Sequence, residues 1–389
     1  MSKKFIPLSV PNLKGRELEY VTHAIETEWV STGGPYINEF ENQISSYVNT
    51  AGAVSVQNGT SGLHVSLKVC GILSNDEVIV PTLTFIAAVN PVKYVGAHPV
   101  FIDCDESLCI DPEKVRAFIR KECVFKEGKL KNKKTNRHIK AIVVVHVFGN
   151  MAKMKEIMEI SEEFNLKVIE DATEALGTYY IEGPYKNKFA GTIGTVGVYS
   201  FNGNKIITTG GGGMIVSNDL EILKKAKHLT TQAKSDELYY THDEIGFNYR
   251  MTNLQAGIGI AQLEQLESFI KTKKENYELY KQEILNIDGL SLIEFDKNIR
   301  SNHWFYALYI EDSYALSRDE LIQHLSKKGI QARPIWSLIS DQIPYKDSEA
   351  HEISMAKKYL KHIINIPCSS NLTQEEVKYV LNNLRQSQC

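Results

Sequence analysis

The sequence has few features of a secreted, membrane-spanning or metal-binding protein. Its six cysteines are scattered over 389 residues without a C-x-x-C pair, which argues against a disulfide framework or a structural metal site. No apolar run approaches the length of about 20 residues that a membrane span needs, and the first residues lack a signal-peptide core. With 44 basic and 47 acidic residues, the net charge of −3 gives no reason to expect nucleic acid or an anionic membrane as a partner. We therefore predict a cytoplasmic protein without a metal, whose partner is a small molecule.

Short β-rich segments alternate with helical patterns between about residues 50 and 216. This alternation predicts an α/β fold in which a mostly parallel central sheet is flanked by helices. Such sheets bind ligands beyond the carboxyl ends of their strands, so chemically active residues should follow strands. Strands are predicted at residues 77–80, 99–102, 141–145, 166–170, 197–201 and 213–216, with helices at 61–69 and 154–164.

The pattern changes in the last third of the chain. A long amphipathic helix is predicted over residues 262–285, followed by a strand at 303–310 and by helices at 317–328 and 373–384. These elements predict a large domain of residues 1–265 and a smaller C-terminal α+β domain of residues 266–389.

One segment stands apart by its charge. Residues 121–140 carry eight basic against two acidic residues and little apolar periodicity. The pattern favours a solvated loop between a helix and the strand at residue 141 over a phosphate-binding role.

A single lysine, Lys205, follows a strand-like run and precedes four consecutive glycines by five residues. A lysine that forms a Schiff base must lose its proton easily, because only the neutral amine attacks a carbonyl. Glycines allow the main chain to approach a bulky ligand closely. The alternative interpretation is a surface lysine beside a flexible loop.

Three further segments could hold a flat, anionic cofactor. Glu170 ends a predicted strand and Asp171 is the first residue beyond it, and the two point to opposite faces. Asp171 is therefore the better candidate to face a ligand, and the competing interpretation is a helix cap or a structural ion pair. Thr60 and Ser61 open a helix whose N-terminus suits a phosphate, although both residue types also simply cap helices. Phe85 could stack on an aromatic ring or belong to the core. Together with Lys205, these are the parts that pyridoxal phosphate needs.

With these motifs, the chain resembles the DegT/DnrJ/EryC1/StrS family of pyridoxal-phosphate-dependent sugar aminotransferases, which have the fold of type I aminotransferases. The resemblance runs nearly end to end. It includes the motifs Trp29-Val-Ser-Thr-Gly-Gly-Pro, Gly59-Thr-Ser-Gly-Leu-His, Val145-His-Val-Phe-Gly, Glu170-Asp-Ala, Ser200 to Lys205, Gly246-Phe-Asn-Tyr-Arg-Met, Ala332-Arg-Pro and Ile366-Pro-Cys-Ser-Ser.

The resemblance implies a role for each matching residue. Lys205 carries the cofactor, Asp171 pairs with its pyridine nitrogen and Phe85 stacks on its ring. The phosphate is held by Thr60, Ser61 and Ser200, and by Asn248 from the second subunit of a homodimer. Glu174 stands near the phenolic oxygen, where many relatives have glutamine or histidine. Candidate substrate contacts are Trp29, Arg333 and His303, for each of which a structural role is the competing interpretation.

The resemblance also implies a reaction. Related sugar dehydratases carry histidine in place of Lys205, so the lysine favours transfer of an amino group from L-glutamate. The basic segment resembles a LegC-like subgroup that aminates C4 of a UDP-linked 2-acetamido-4-keto-6-deoxyhexose in bacillosamine-type or legionaminic acid pathways. Two alternatives stay open: a nucleotide-sugar dehydratase that uses the same cofactor, and a non-catalytic binding or regulatory protein, which would be expected to lose Lys205 or Asp171.

Overall fold

The computed structural model describes residues 5–236 and 238–386. Its strands are β1 Gly52–Val56, β2 Glu77–Pro81, β3 His98–Ile102, β4 Cys123–Lys126, β5 Lys129–Asn132, β6 His138–Val145, β7 Lys167–Asp171, β8 Tyr179–Tyr180, β9 Val196–Ser200, β10 Gly213–Ser217, β11 Lys234–Asp236, β12 Thr241–His242, β13 Leu290–Leu292, β14 Ile299–Arg300, β15 Tyr306–Ile310, β16 Arg333–Pro334, β17 Glu349–His351 and β18 Ile363–Ile366. Its α-helices are α1 Glu17–Glu26, α2 Pro35–Val48, α3 Gly59–Val69, α4 Asn90–Tyr94, α5 Pro112–Glu122, α6 Met154–Phe164, α7 Leu220–Thr230, α8 Asn253–Leu263, α9 Leu266–Ile284, α10 Arg318–Lys327, α11 Met355–His362 and α12 Gln374–Gln386.

A large central sheet organises the fold, with the strand order β1-β10-β9-β7-β6-β2-β3-β17. From β9 to β17 neighbouring strands run parallel, whereas β10 is antiparallel to both β9 and β1. Every residue of β2 and of β9 is buried, as expected where helices cover both faces of a sheet. The predicted α/β fold with a mostly parallel sheet is therefore confirmed, and the six strands predicted up to residue 216 are all present.

The basic segment is not a loop, so that prediction was wrong. Strands β4 and β5 form a hairpin, and Leu130 of β5 pairs with Ile139 at the start of β6. The buried Asn132 side chain anchors the hairpin by donating to Glu77 Oε2 at 3.0 Å and to Glu349 Oε2 at 2.6 Å. The sequence pattern did not indicate a hairpin, because Glu77 and Glu349, which anchor it, lie far from Asn132 in the sequence. The hairpin extends from the amino end of β6, about 20 Å along the strand from its carboxyl end.

The predicted helix over 262–285 corresponds to α9, except that its first residues belong to the end of α8. Helix α8 ends at Leu263 and α9 begins at Leu266, since Gln265 leaves the regular helical path with φ −105°. Both Gln262 Nε2 and Gln265 Nε2 donate to the buried Glu17 Oε1, at 2.6 and 2.8 Å. The apolar periodicity runs through the break without interruption, so it gave no signal of this long-range contact.

The C-terminal region forms a second, four-stranded antiparallel sheet with the order β13-β15-β18-β16. This region also contributes β17, which pairs in parallel with β3 of the central sheet. The domain boundary at 265/266 stays a prediction. Among the described residues, no helix combines the length and apolar character of a membrane span, and the five described cysteines are free thiols.

Candidate active site

The carboxyl ends of three neighbouring parallel strands bring the predicted chemical residues together. Strands β6, β7 and β9 end at Val145, Asp171 and Ser200, and the loops that follow them carry Glu174 and Lys205. This is the edge at which ligands bind in open α/β sheets.

Lys205 occupies a largely enclosed position with its side chain 13% exposed. Its Nζ lies 3.7 Å from Glu174 Oε1 and 4.2 Å from the centre of the Trp304 indole ring. The loop that carries it is closed by two backbone hydrogen bonds, from Phe201 N to Gly212 O and from Thr209 N to Phe201 O, each 2.9 Å long. The amine is therefore held between a carboxylate and an aromatic face.

The two acids at the end of β7 point in opposite directions, as the strand alternation predicts. Glu170 is fully buried and accepts hydrogen bonds from Gly191 N at 2.8 Å and Ile193 N at 2.7 Å, and its Oε2 lies 2.8 Å from His146 Nε2. Asp171 Oδ1 accepts from Thr173 N at 3.1 Å. Burial raises the pKa of Asp171, against the opposing effect of its hydrogen bonds and of nearby positive charge. Glu170 therefore stabilises the fold, whereas Asp171 is the acid that can contact a ligand.

Glu174 is buried, and its carboxyl group is fixed by a hydrogen bond from a backbone N–H group. Its Oε2 accepts from Phe148 N at 2.9 Å, and Phe148 lies in the left-handed region with φ 57° and ψ 17°. Burial raises the pKa of Glu174 to about 7, although the charge of Lys205 opposes this rise. The carboxyl group can therefore take or release a proton near neutral pH.

The start of α3 lies against the end of β9 and the loop after β7. Asn58 caps the helix by accepting from Ser61 N at 2.8 Å. A Cβ atom at Gly59 would lie 2.9 Å from Thr173 Cγ2 and 3.1 Å from Ser200 Cβ, so only glycine leaves this approach open. The three predicted phosphate ligands, Thr60, Ser61 and Ser200, are thereby brought to one place.

These residues fit pyridoxal phosphate. The buried Asp171 carboxylate lacks a direct ionic partner among the described residues and suits a protonated ring nitrogen. The helix N-terminus at Gly59 suits a phosphate, and Lys205 suits an aldehyde carbon. Phe85 follows β2 and is 55% exposed, which leaves its ring free to contact a ligand.

Asn248 lies on the wall of a surface cavity whose lining includes none of these residues. The cavity has a volume of about 380 Å³. It is lined by Thr32, Lys224, Lys227, His228, Thr230, Thr231, Gln232, Lys234, Asn248 and Arg250. Sequence reasoning singled out only Asn248 here, although the close spacing of basic residues in α7 was a usable signal.

The structure does not bring the three predicted substrate residues into contact with Lys205. Trp29 is 55% exposed in the loop before α2, and Arg333 is exposed in β16. His303 is buried against the rings of Tyr277 and Phe295, and burial lowers its pKa to about 3. Their roles toward a substrate stay predictions.

Sequence reasoning also missed Trp304, which lies 99 positions after Lys205 and belongs to no glycine-rich or post-strand motif. Its indole ring is 2% exposed and faces the lysine amine. A run of aromatic residues is typical of a core strand, so the pattern alone did not distinguish this ring from its neighbours.

An enclosed lysine and two buried carboxyl groups, gathered at the carboxyl edge of a parallel sheet beside a helix N-terminus, define an aminotransferase of fold type I. The model of the DegT/DnrJ/EryC1/StrS aminotransferase family matches residues 11–385, and the chain belongs to this family. It is accordingly an aminotransferase that depends on pyridoxal phosphate.

Individual relatives agree with this assignment. The chain is 37% identical to GDP-perosamine synthase of Escherichia coli O157:H7, over 98% of each chain. It is 28% identical to UDP-4-amino-4,6-dideoxy-N-acetyl-beta-L-altrosamine transaminase of Campylobacter jejuni, over 97% of this chain and 96% of the other. Among solved structures, a DegT DnrJ EryC1 StrS aminotransferase from Brucella abortus superposes with a TM-score of 0.87 at 25% identity, covering 96% of this chain and 95% of the other.

Proposed function

We propose that this protein transfers the amino group of L-glutamate to C4 of a nucleotide-linked 4-keto sugar. The observation that carries the proposal is the position of Lys205, whose Nζ is enclosed between the Glu174 carboxyl group and the Trp304 ring. An amine held in this way can take a proton from the α-carbon of the donor and return it to the acceptor carbon, which is the proton transfer that a transaminase needs.

The other buried groups have complementary tasks. When bound, pyridoxal phosphate supplies an electrophilic carbon and a ring that stabilises negative charge at the donor α-carbon. Asp171 holds the proton on the ring nitrogen, because its buried carboxylate has no direct ionic partner within the described part of the chain. Thr60, Ser61 and Ser200 hold the phosphate, and Glu174 exchanges a proton with the phenolic oxygen of the ring.

We also propose a homodimer in which Asn248 completes the phosphate site of the partner subunit. Asn248 is exposed and lines a surface cavity that none of the other predicted cofactor residues lines, so its side chain is accessible to a partner subunit. The same cavity carries Lys227 and Arg250, whose cationic side chains suit the diphosphate of a nucleotide sugar.

The predicted acceptor is UDP-2-acetamido-2,6-dideoxy-4-keto-hexose, as in the LegC-like subgroup. Named relatives include proteins that act on GDP-linked and on UDP-linked sugars, which supports a nucleotide sugar and leaves the base to experiment. The basic hairpin β4–β5 is not a candidate for the diphosphate, since it extends from the amino ends of the strands. A cytoplasmic location stays a prediction.

The test is to incubate the purified protein with nitrogen-labelled L-glutamate and either a UDP-linked or a GDP-linked 4-keto-6-deoxyhexose. We expect mass spectrometry to find labelled nitrogen in the UDP-linked product, in place of the carbonyl oxygen. Labelled nitrogen only in the GDP-linked product would contradict the acceptor, and loss of water without incorporation of label would contradict aminotransfer.

Neither alternative is favoured. A dehydratase or a non-catalytic protein would share the fold, but the relatives are aminotransferases and this chain keeps both Lys205 and Asp171.

A further inference from the structure

Trp304 contacts both Lys205 and the residue directly before it. The indole face lies 4.2 Å from Lys205 Nζ, and the indole Nε1 donates to the backbone oxygen of Asn204 at 2.7 Å. The first contact restrains the end of the lysine side chain, and the second restrains the residue directly before it. Phe305, which stacks on Trp304 with ring centres 4.0 Å apart, has neither contact.

Trp304 is itself held by groups that belong to the site. Its backbone N–H donates to Asn302 Oδ1 at 3.0 Å, and Asn302 Nδ2 donates to the backbone oxygen of Glu174 at 3.0 Å. One asparagine therefore joins the tryptophan to the loop that carries the carboxyl group on the other side of the amine.

A buried lysine completes this support. Lys273 Nζ donates to the backbone oxygen of Trp304 at 3.0 Å and also to that of Cys368. Lys273 is 3% exposed and has no carboxylate partner among the described residues, and burial lowers its pKa. Its amine links the backbone of Trp304 to that of Cys368 and thereby helps to fix the position of Trp304.

We propose that Trp304 is a positioning residue that holds the free Lys205 amine beside Glu174 while the lysine transfers protons. A lysine side chain that is not bound to another group has many rotamers, and each productive transfer requires one geometry. The indole ring favours that geometry through a cation–π contact with the amine. Its N–H group holds the backbone at Asn204 and Lys205 in place through the hydrogen bond to the Asn204 oxygen. The inference rests on the proposed role of Lys205.

The test compares Trp304→Met, which fills much of the space without an aromatic face, with Trp304→Phe, which keeps a face but loses the N–H donor. In the protein freed of cofactor, Lys205 is labelled with acetic anhydride at one fixed pH and quantified by peptide mass spectrometry. The indole ring lies against the amine and restrains it, so we expect Trp304→Met to speed the labelling of Lys205 several-fold and Trp304→Phe to label at a rate near that of the wild type.

A second measurement follows the backbone. Lys205 N donates to Asn202 O at 2.9 Å, and we expect both variants to speed amide hydrogen exchange in the peptide spanning residues 202–205. Turnover should fall about tenfold in Trp304→Met, with KM for L-glutamate unchanged, because the loss concerns proton transfer rather than binding. Phe305→Leu serves as the matched control and should leave the labelling rate of Lys205 unchanged.

The proposal fails if both Trp304 variants keep the wild-type labelling rate and the wild-type exchange rate. It also fails if Phe305→Leu speeds the labelling of Lys205 as much as Trp304→Met does. If Trp304→Met does not fold, the proposal is tested by the amide hydrogen exchange rate of residues 202–205 in Trp304→Phe. Labelling and exchange use the cofactor-free protein, so they answer this question even if no nucleotide sugar is aminated and the proposed reaction is wrong.

Discussion

Glu174 Oε1 lies 3.7 Å from Lys205 Nζ, and both side chains are largely enclosed. Burial raises the pKa of Glu174 from its ordinary value of 4.5 to about 7. A carboxyl group with a raised pKa in the folded state contributes stability below its unfolded pKa, and this contribution is lost as the pH rises toward 7. The relationship between these two residues therefore predicts a pH dependence of folding.

Glu174→Gln should remove that dependence. In the cofactor-free wild-type protein, the free energy of unfolding should fall by up to about 3 kcal/mol relative to the variant between pH 4.5 and pH 7. Thermal unfolding across this pH range measures the difference. The exposed Glu26→Gln is a matched control, and parallel curves for wild type and Glu174→Gln would refute the assignment.

Lys205→Ala should abolish turnover without unfolding the protein. The lysine is the only proposed proton carrier between donor and acceptor carbons, so the rate should drop by at least about 10⁴-fold. The rate of label transfer from L-glutamate measures this. Lys68→Ala, on α3, is a control that should retain activity. Near-native turnover in Lys205→Ala would contradict the mechanism.

Subunit mixing tests the proposed role of Asn248. If Asn248 serves the partner's site, co-expressed Lys205→Ala and Asn248→Ala chains form heterodimers in which one of the two sites has both intact residues. About a quarter of wild-type activity should then return, given random pairing in a two-fold dimer. If Asn248 serves its own subunit, the mixture stays as inactive as its components.

Glu170→Gln should destabilise the fold more than it affects the chemistry. Its buried carboxylate accepts from Gly191 N and Ile193 N and contacts His146 Nε2, and glutamine cannot accept all of these bonds. We expect a loss of about 2–4 kcal/mol in the free energy of unfolding. Denaturant titration measures it, and a variant as stable as the wild type would show that the network contributes nothing.

Asp103→Asn should destabilise the fold at neutral pH and much less in acid. Burial alone raises the pKa of Asp103, but hydrogen bonds from Lys114 and from the backbone N–H groups of residues 354–356 bring it below its ordinary value of 3.8. Stability from such a group is present above its unfolded pKa and is lost as the pH falls through its folded pKa. Asp103→Asn should cost about 2–3 kcal/mol at neutral pH, and the difference should shrink below pH 3.8.

Urea titration at neutral and acid pH checks this expectation. Asp312→Asn, at a 98% exposed side chain, is the control and should change little. A constant difference between wild type and Asp103→Asn at both pH values would exclude a charge-dependent contribution.

The central strands could be predicted because each is a short apolar run bounded by turns, and burial on both faces makes that pattern continuous. Lys205 and Asp171 could be singled out because they directly follow such runs. Trp304 and Asn132 could not, since their contacts join residues 100 and 55 positions apart, and local patterns carry no information about such pairs. The break at Gln265 was missed for the same reason, because its partner Glu17 lies 248 positions away.

The hairpin β4–β5 turns at Glu127 and Gly128, whose φ angles of 52° and 70° are those of a tight two-residue turn. This turn is exposed, and Gly128 O accepts a hydrogen bond from Asn165 Nδ2 at 3.2 Å, just before the amino end of β7 and at the opposite end of that strand from Asp171. A fluorophore or an affinity handle attached there would leave the reaction cleft unobstructed. The hairpin is thus the natural point at which to immobilise the working enzyme or to label it for single-molecule observation.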